Sequence, residues 1–188
     1  MRHIFIINPA AGKKDGRQRV YAMAEALKKN HDLDVECMLT KSRGHAMMLM
    51  RAIAEADLLF CLDFNAVSRL EILSDTIEAN TTARRVLIDH HLSPDEGFDL
   101  SFSHPDSSST CFLVYSIVEA LFGAQAVTRR MAEALYVGIM TDTGNFAYSF
   151  LTPELFRAVA VLVGTGISIP DIHNNVYNAY TEGRARLF

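Results

Sequence analysis

Along the first half of the chain, short continuous apolar runs alternate with segments whose apolar residues recur at three- and four-residue spacing. IFII at 4 to 7, LLFCL at 58 to 62 and VLI at 86 to 88 are bounded by polar or turn residues, the pattern of strands covered on both faces. DVECML at 34 to 39 alternates in part and is expected as an edge strand. Between these runs, Val20, Met23, Ala24 and Leu27, then Ala46, Leu49, Met50 and Ile53, then Leu70, Leu73 and Ile77 are spaced to share a helix face. The order strand, helix, strand, helix, strand, helix, strand predicts right-handed crossovers and an α/β fold, a doubly wound parallel sheet with helices on both faces. Ligands in such sheets bind beyond the carboxyl ends of the strands. That directs attention to Asn8-Pro9, Asp63-Phe64-Asn65 and Asp89-His90-His91.

The second half reads as helix-rich. Ser107, Ser108 and Ser109 are N-cap candidates for a helix through FLVYSIVEALFG that Gly123 ends. A longer helix across RRMAEALYVGIM delivers TDTGN at 141 to 145. Pro153 suits the first turn of another, which reaches Gly164 and Gly166, and Pro170 opens the last. No repeat, low-complexity tract or Gly/Ser-rich linker divides the chain, so residues 1–188 are read as one domain.

Composition changes this picture little. Of 188 residues, 49% are hydrophobic and 21% charged, enough for a sizeable core. The net charge of −4 argues against holding long duplex nucleic acid by counterion release, while a nucleotide or short oligonucleotide in a local pocket is compatible with it. Cys37, Cys61 and Cys111 show no CxxC spacing and are expected to be reduced core thiols of a cytoplasmic protein. The apolar run in MRHIFIINPAAG is too short for a signal sequence, and nothing approaches a membrane span, so neither export nor membrane crossing is expected.

The chemistry-bearing residues cluster at predicted strand ends. In VLIDHHLSP at 86 to 94, an acid and two histidines close an apolar run just before a Ser-Pro breaker. Divalent ions that activate water for phosphoester hydrolysis are held by carboxylate oxygens and imidazole nitrogens. Asp63 ends the preceding strand; if the two strands are neighbours, both groups leave the same rim. Asp142 sits at the end of an apolar helix, where its charge opposes the helix dipole and a bound cation would relieve it.

Beyond about Asp57 the chain resembles the DHH family of phosphoesterases, and within it the enzymes that degrade very short oligoribonucleotides and dephosphorylate phosphoadenosine phosphate. The resemblance runs through DLLFCLDFNAVSRL, VLIDHH, SHPDSSST, LYVGIMTDTGNFAYS and HNNVYNAYTEGRARL. It implies that Asp63 bridges two manganese ions (magnesium being the alternative metal), that His90 is a direct ligand, and that His91 contacts phosphate or stands just behind the ligands. It further implies that Asp89 orients the histidines, that Asp142 is a ligand, and that His104, Ser108, Ser109 and Thr110 lie near the substrate. In the family, a hydroxide generated between the two ions attacks phosphorus in line.

The family's first motif, a His followed by two closely spaced acids at the tip of the first strand, is not present; that position reads NPAAGKKDG. Residues 1–56 instead resemble the opening of the diacylglycerol kinase family of lipid kinases, through IFIINPAAGKK and ECMLTKSRGHA, with residues 57–188 forming the DHH core. Lys13 and Lys14 in that loop suit phosphate binding or a plain solvated turn equally. The kinases' third strand runs into a glycine-rich ATP-binding segment, whereas this one runs into CLDFN. RARLF at 184 to 188 resembles the connector to the family's smaller substrate-binding domain, which is expected to be absent. Together these features imply a single weakly held ion and reduced turnover. A non-catalytic nucleotide- or phosphate-binding module and a lipid kinase remnant are the alternatives, and a homodimer is compatible with the sequence.

Overall fold

The apolar runs form strands where their patterning predicts, but LLFCL is not covered on both faces as expected: Phe60 and Leu62 are exposed and only Cys61 is buried. In the computed structural model, which describes residues 2–7, 34–39, 50–51, 53–148 and 150–178, β1 is Arg2–Ile7, β2 Asp34–Leu39, β3 Leu58–Leu62 and β4 Arg84–Asp89. A fifth strand, β5 at Leu100–Ser103, was not legible in the sequence: LSFS is short, its first two residues are exposed, and it forms an edge. All pairings are parallel, β1 with β2 in one sheet and β3-β4-β5 in another. This is the α/β class expected. Of the predicted helices, Val20–Leu27 lies outside the described residues. The segment through Ile53 is helical where described, and the Leu70–Ile77 pattern forms a 3-10 helix, Val67–Leu73, running into α1, Ser74–Ala79. The loops NPAAGKKDG, with Lys13 and Lys14, and RARLF also lie outside the described residues.

The chain groups into two compact units, Met1–Ser103 and His104–Phe188. In the first, β4 carries the burial: Leu87 and Asp89 are fully buried and Ile88 nearly so. Ile53, Val67 and Ile77 form a small core with Leu59, Leu70, Leu73 and Phe98 packed against it. One buried side chain, Asn80, joins the segments that precede β3 and β4. Its amide nitrogen donates to the carbonyls of Ile53 (2.6 Å) and Ala56 (3.1 Å). Its oxygen accepts from the Thr82 and Ala83 N–H groups and the Thr82 hydroxyl at 2.9 to 3.1 Å.

The second unit is helical: α2 Thr110–Phe122, α3 Arg129–Asp142, α4 Pro153–Gly164 and the short α5 Ile169–His173, which continues into a π turn at Asn174–Asn178. Each start is capped by a hydroxyl that accepts a backbone N–H three residues on, from Ser109, Thr128, Thr152 and Ser168. Pro153 and Pro170 sit in first turns, and Gly123 ends α2 with φ +79°. Ile139, Met140, Leu155 and Leu162 are fully buried at the centre of this unit. Gly138 allows α3 to approach α2, since a Cβ there would collide with the Cys111 side chain. Among the described residues no single helix is long and apolar enough to cross a membrane.

Candidate metal centre

Parallel pairing of β3 with β4 decides the first half of the site. Leu62 pairs with Ile88, and the N–H of Asp63 extends the ladder by one bond to the Ile88 carbonyl (3.2 Å). Asp63 and His90 therefore leave the sheet at the same edge, as the sequence required only if the strands were neighbours. Asp63 then turns out of the strand with φ +66°, a left-handed conformation that Asp tolerates better than most side chains. Its Oδ1 lies 3.7 Å from His90 Nε2. Asp63, His90 and His91 each offer a ligand atom, all within 4.8 Å of one another.

Asp89 is the buried half of the arrangement. It has no exposed surface, and its two oxygens are turned onto the same residue: Oδ2 accepts the His91 backbone N–H (3.1 Å) and Oδ1 lies 2.7 Å from His91 Nδ1. With Asp89 as a carboxylate, which can only accept, Nδ1 carries the proton and the neutral ring keeps a lone pair on Nε2. The His91 ring is thereby fixed in orientation and tautomer, with its basic nitrogen away from Asp89. The His90 and His91 rings meet edge to face, centroids 4.9 Å apart. Two ligand atoms each about 2.1 Å from a divalent ion stand about 3 to 4 Å apart, so the 3.7 Å between Asp63 and His90 suits one ion. The oxygen and imidazole donors, with an acid behind an imidazole, are the set such ions take.

A residue whose role the sequence did not reveal ties the two loops together. Asn65 donates from its amide nitrogen to the Leu92 carbonyl (2.7 Å), its own carbonyl accepts the Asp95 N–H (2.8 Å), and Arg69 donates to its Oδ1 (3.2 Å). The loop carrying Asp63 is thus fastened to the loop that follows His90 and His91. The only signal was its place just past a strand end, because Leu92, which accepts from its side chain across the loops, lies 27 residues away. Beneath the site, Cys61 is buried in β3 and burial pushes its thiol up to about 11, which keeps it protonated and a poor metal ligand.

The remaining candidates belong to the second unit. Asp142 is the last residue of α3 and is exposed. The turn after it hangs on Thr143, whose hydroxyl donates to the Ile139 carbonyl (2.7 Å) and accepts the Phe146 N–H (3.0 Å). His104 is exposed, its carbonyl accepting the Ser107 N–H (2.9 Å). Ser108, Ser109 and Thr110 are buried at the start of α2: Ser109 is the cap, and the Ser108 hydroxyl has no hydrogen-bond partner among the described residues. The structure thus brings together Asp63, His90 and His91 over Asp89, and separately gathers the serines and threonine at a helix N-terminus.

Residues 4–139 match the DHH family, N-terminal domain. The bifunctional oligoribonuclease and PAP phosphatase NrnA of Thermus thermophilus is 33% identical over 85 residues, 45% of this chain and 26% of that protein. Its Bacillus subtilis counterpart is 27% identical over 96 residues, 50% of this chain and 31% of that protein. An uncharacterized protein of Mycoplasma pneumoniae is 36% identical over 93 residues, 49% of this chain and 28% of that protein. Among solved structures, an exopolyphosphatase-related protein from Bacteroides fragilis superposes with a TM-score of 0.79 at 28% identity, over 99% of this chain and 59% of that one. The matches to the curated relatives thus span less than a third of their lengths. The family match takes in residues 4–56, and the comparisons do not show the lipid-kinase resemblance of that stretch. With the family matched across both site strands and the acid and paired histidines at their tips, this chain belongs to the DHH family of phosphoesterases.

Proposed function

We propose that the chain is a metal-dependent phosphoesterase domain acting on phosphate esters of nucleotides or short oligonucleotides. The observation that carries this reading is the convergence of Asp63, His90 and His91 beyond paired parallel strands, with buried Asp89 holding His91. A divalent ion there, manganese or magnesium, would supply a Lewis acid for a phosphoryl oxygen and lower the pKa of a water. Asp63 and His90 would hold it, and Asp142 is proposed as a further ligand. Fixed by Asp89, His91 presents Nε2 to the metal or, when protonated, a donor to a phosphoryl oxygen. The buried, unpartnered Ser108 hydroxyl and the N-terminus of α2 supply groups that suit a phosphate, and His104, Ser109 and Thr110 are proposed to line the same place. Lys13 and Lys14 are proposed as further phosphate contacts. The names of the relatives support a nucleotidic substrate.

We further propose that NPAAGKKDG takes the place of the family's first ligand motif, with one weakly held ion and slow turnover as the result. Residues 1–188 are proposed to work as a single functional domain. Calorimetric titration with Mn²⁺, followed by assay of phosphate release from phosphoadenosine phosphate and of cleavage of a dinucleotide, tests the reading. Weak binding lost in Asp63→Ala, with slow metal-dependent hydrolysis, is expected. Absence of metal binding would overturn the site, and fast turnover would overturn the proposed impairment.

A further inference from the structure

The second unit contains a recess that the chemistry above does not use. It is a shallow, open recess of about 490 Å³ lined by Thr141, Gly144, Asn145, Tyr148, His173 and Tyr177. That volume falls within the range of small-molecule sites. Its shape comes from an uncommon backbone: Gly144, Asn145 and Phe146 have consecutive positive φ angles of 55°, 59° and 62°. For Phe146 this is a costly conformation. The turn nevertheless holds, because Thr143 binds it and because the Phe146 ring packs between Tyr136 and Phe156, with centroids 6.1 and 5.9 Å away.

The consequence is a division of side chains. Phe146 turns toward the core, while Asn145 and Tyr148 turn outward, Tyr148 being 67% exposed. The Tyr148 ring rests on Gly144, where any Cβ would collide with it. An exposed aromatic ring is thus seated in advance on bare backbone. The facing wall is a second aromatic pair, His173 and Tyr177, with centroids 4.8 Å apart. The Asn145 carboxamide makes no hydrogen bond among the described residues, and the lining residues among them include no Lys or Arg. Aromatic faces with a neutral amide and without a cation fit a flat heteroaromatic ring better than a phosphate.

We propose that this recess takes a nucleobase of the substrate, stacked on Tyr148 with the Asn145 carboxamide reaching its edge. The proposal rests on the nucleotidic phosphoesterase reading and adds to it a base-binding subsite whose lining includes Thr141, the residue before Asp142.

The test uses the full chain in EDTA, so that no hydrolysis intervenes, with binding of the dinucleotide pApA and of ribose 5-phosphate followed by calorimetry. Removing one base stack by Tyr148→Ala is expected to weaken pApA binding about 5- to 100-fold and to leave ribose 5-phosphate binding unchanged; Tyr148→Phe is expected to bind like the parent. Circular dichroism of each variant checks the fold. Undiminished pApA binding by Tyr148→Ala, in a chain whose parent binds and, with Mn²⁺, cleaves pApA, would overturn the subsite alone. Equal loss of both probes would mark Tyr148 as structural and overturn it too. A parent chain that neither binds nor cleaves any nucleotide would overturn the phosphoesterase reading and the subsite with it.

Discussion

Replacing Asp89 by Asn changes a single atom type at a position with no exposed surface. In the native site both carboxylate oxygens accept from His91, at 2.7 Å from Nδ1 and 3.1 Å from the backbone nitrogen. Asparagine has one acceptor and one donor group, so it cannot serve both. With its oxygen on the backbone N–H, its NH₂ must donate to Nδ1, and the proton of the neutral ring moves to Nε2, the atom required for a ligand or phosphate contact. With its oxygen on Nδ1, the NH₂ group faces a buried N–H, donor against donor. Either way one charge-assisted hydrogen bond is lost, a contribution of about 1.5 to 3 kcal/mol. That corresponds to roughly 10- to 100-fold in affinity, the usual cost of removing the acid behind a metal-binding imidazole. Titration of the parent chain and Asp89→Asn with Mn²⁺ should show that loss. Affinities within twofold of each other would refute the argument, because they would mean that His91's tautomer and orientation do not matter to the site.

Asn65→Ala removes the side-chain tie between the two site loops and should weaken Mn²⁺ binding about fivefold, the equivalent of one neutral hydrogen bond, with a melting temperature close to the parent's; an unchanged affinity by calorimetry would show that the loops are held without it. Asn80→Ala strips five hydrogen bonds from a buried position and leaves the Ile53 and Ala56 carbonyls without that donor, so a loss of about 3 to 5 kcal/mol is expected in urea denaturation. Gly138→Ala forces α2 and α3 apart at Cys111 and should lower stability by about 1 to 3 kcal/mol, read from the urea midpoint. The Cys61 thiol ionises near 9.0 when unfolded and at about 11 when folded, so the folded state holds its proton longer. Its contribution is complete below pH 9 and is lost between pH 9 and 11, at most about 2 to 3 kcal/mol. Stability measured across that window should fall more steeply for the parent chain than for Cys61→Ala.

Much of the local structure was written in the sequence. Continuous apolar runs marked β3 and β4, although only β4 is well buried while Phe60 and Leu62 of β3 are exposed, and Ser109 among three serine candidates, Pro153 and Gly123 marked helix ends through short-range hydrogen bonding and allowed φ. The edge strand β5 escaped notice because half-exposed LSFS carries no apolar run. Asp89, His90 and His91 announced chemistry by residue type alone, and the family followed from them. What those residues can do together was a matter of register: only the parallel pairing of Leu62 with Ile88 sets Asp63 3.7 Å from His90. The same holds for Asn65 and Asn80, two ordinary asparagines in sequence, whose side-chain NH₂ groups donate to carbonyls 24 to 28 residues away. The placement of Asp89, whose carboxylate sets His91's tautomer through the 2.7 Å contact with Nδ1, likewise depends on the sheet that buries it. Residue type and local spacing determined the elements and the kind of chemistry; tertiary structure decided the distances, because strand pairing and side-chain hydrogen bonds join segments that the chain itself keeps far apart.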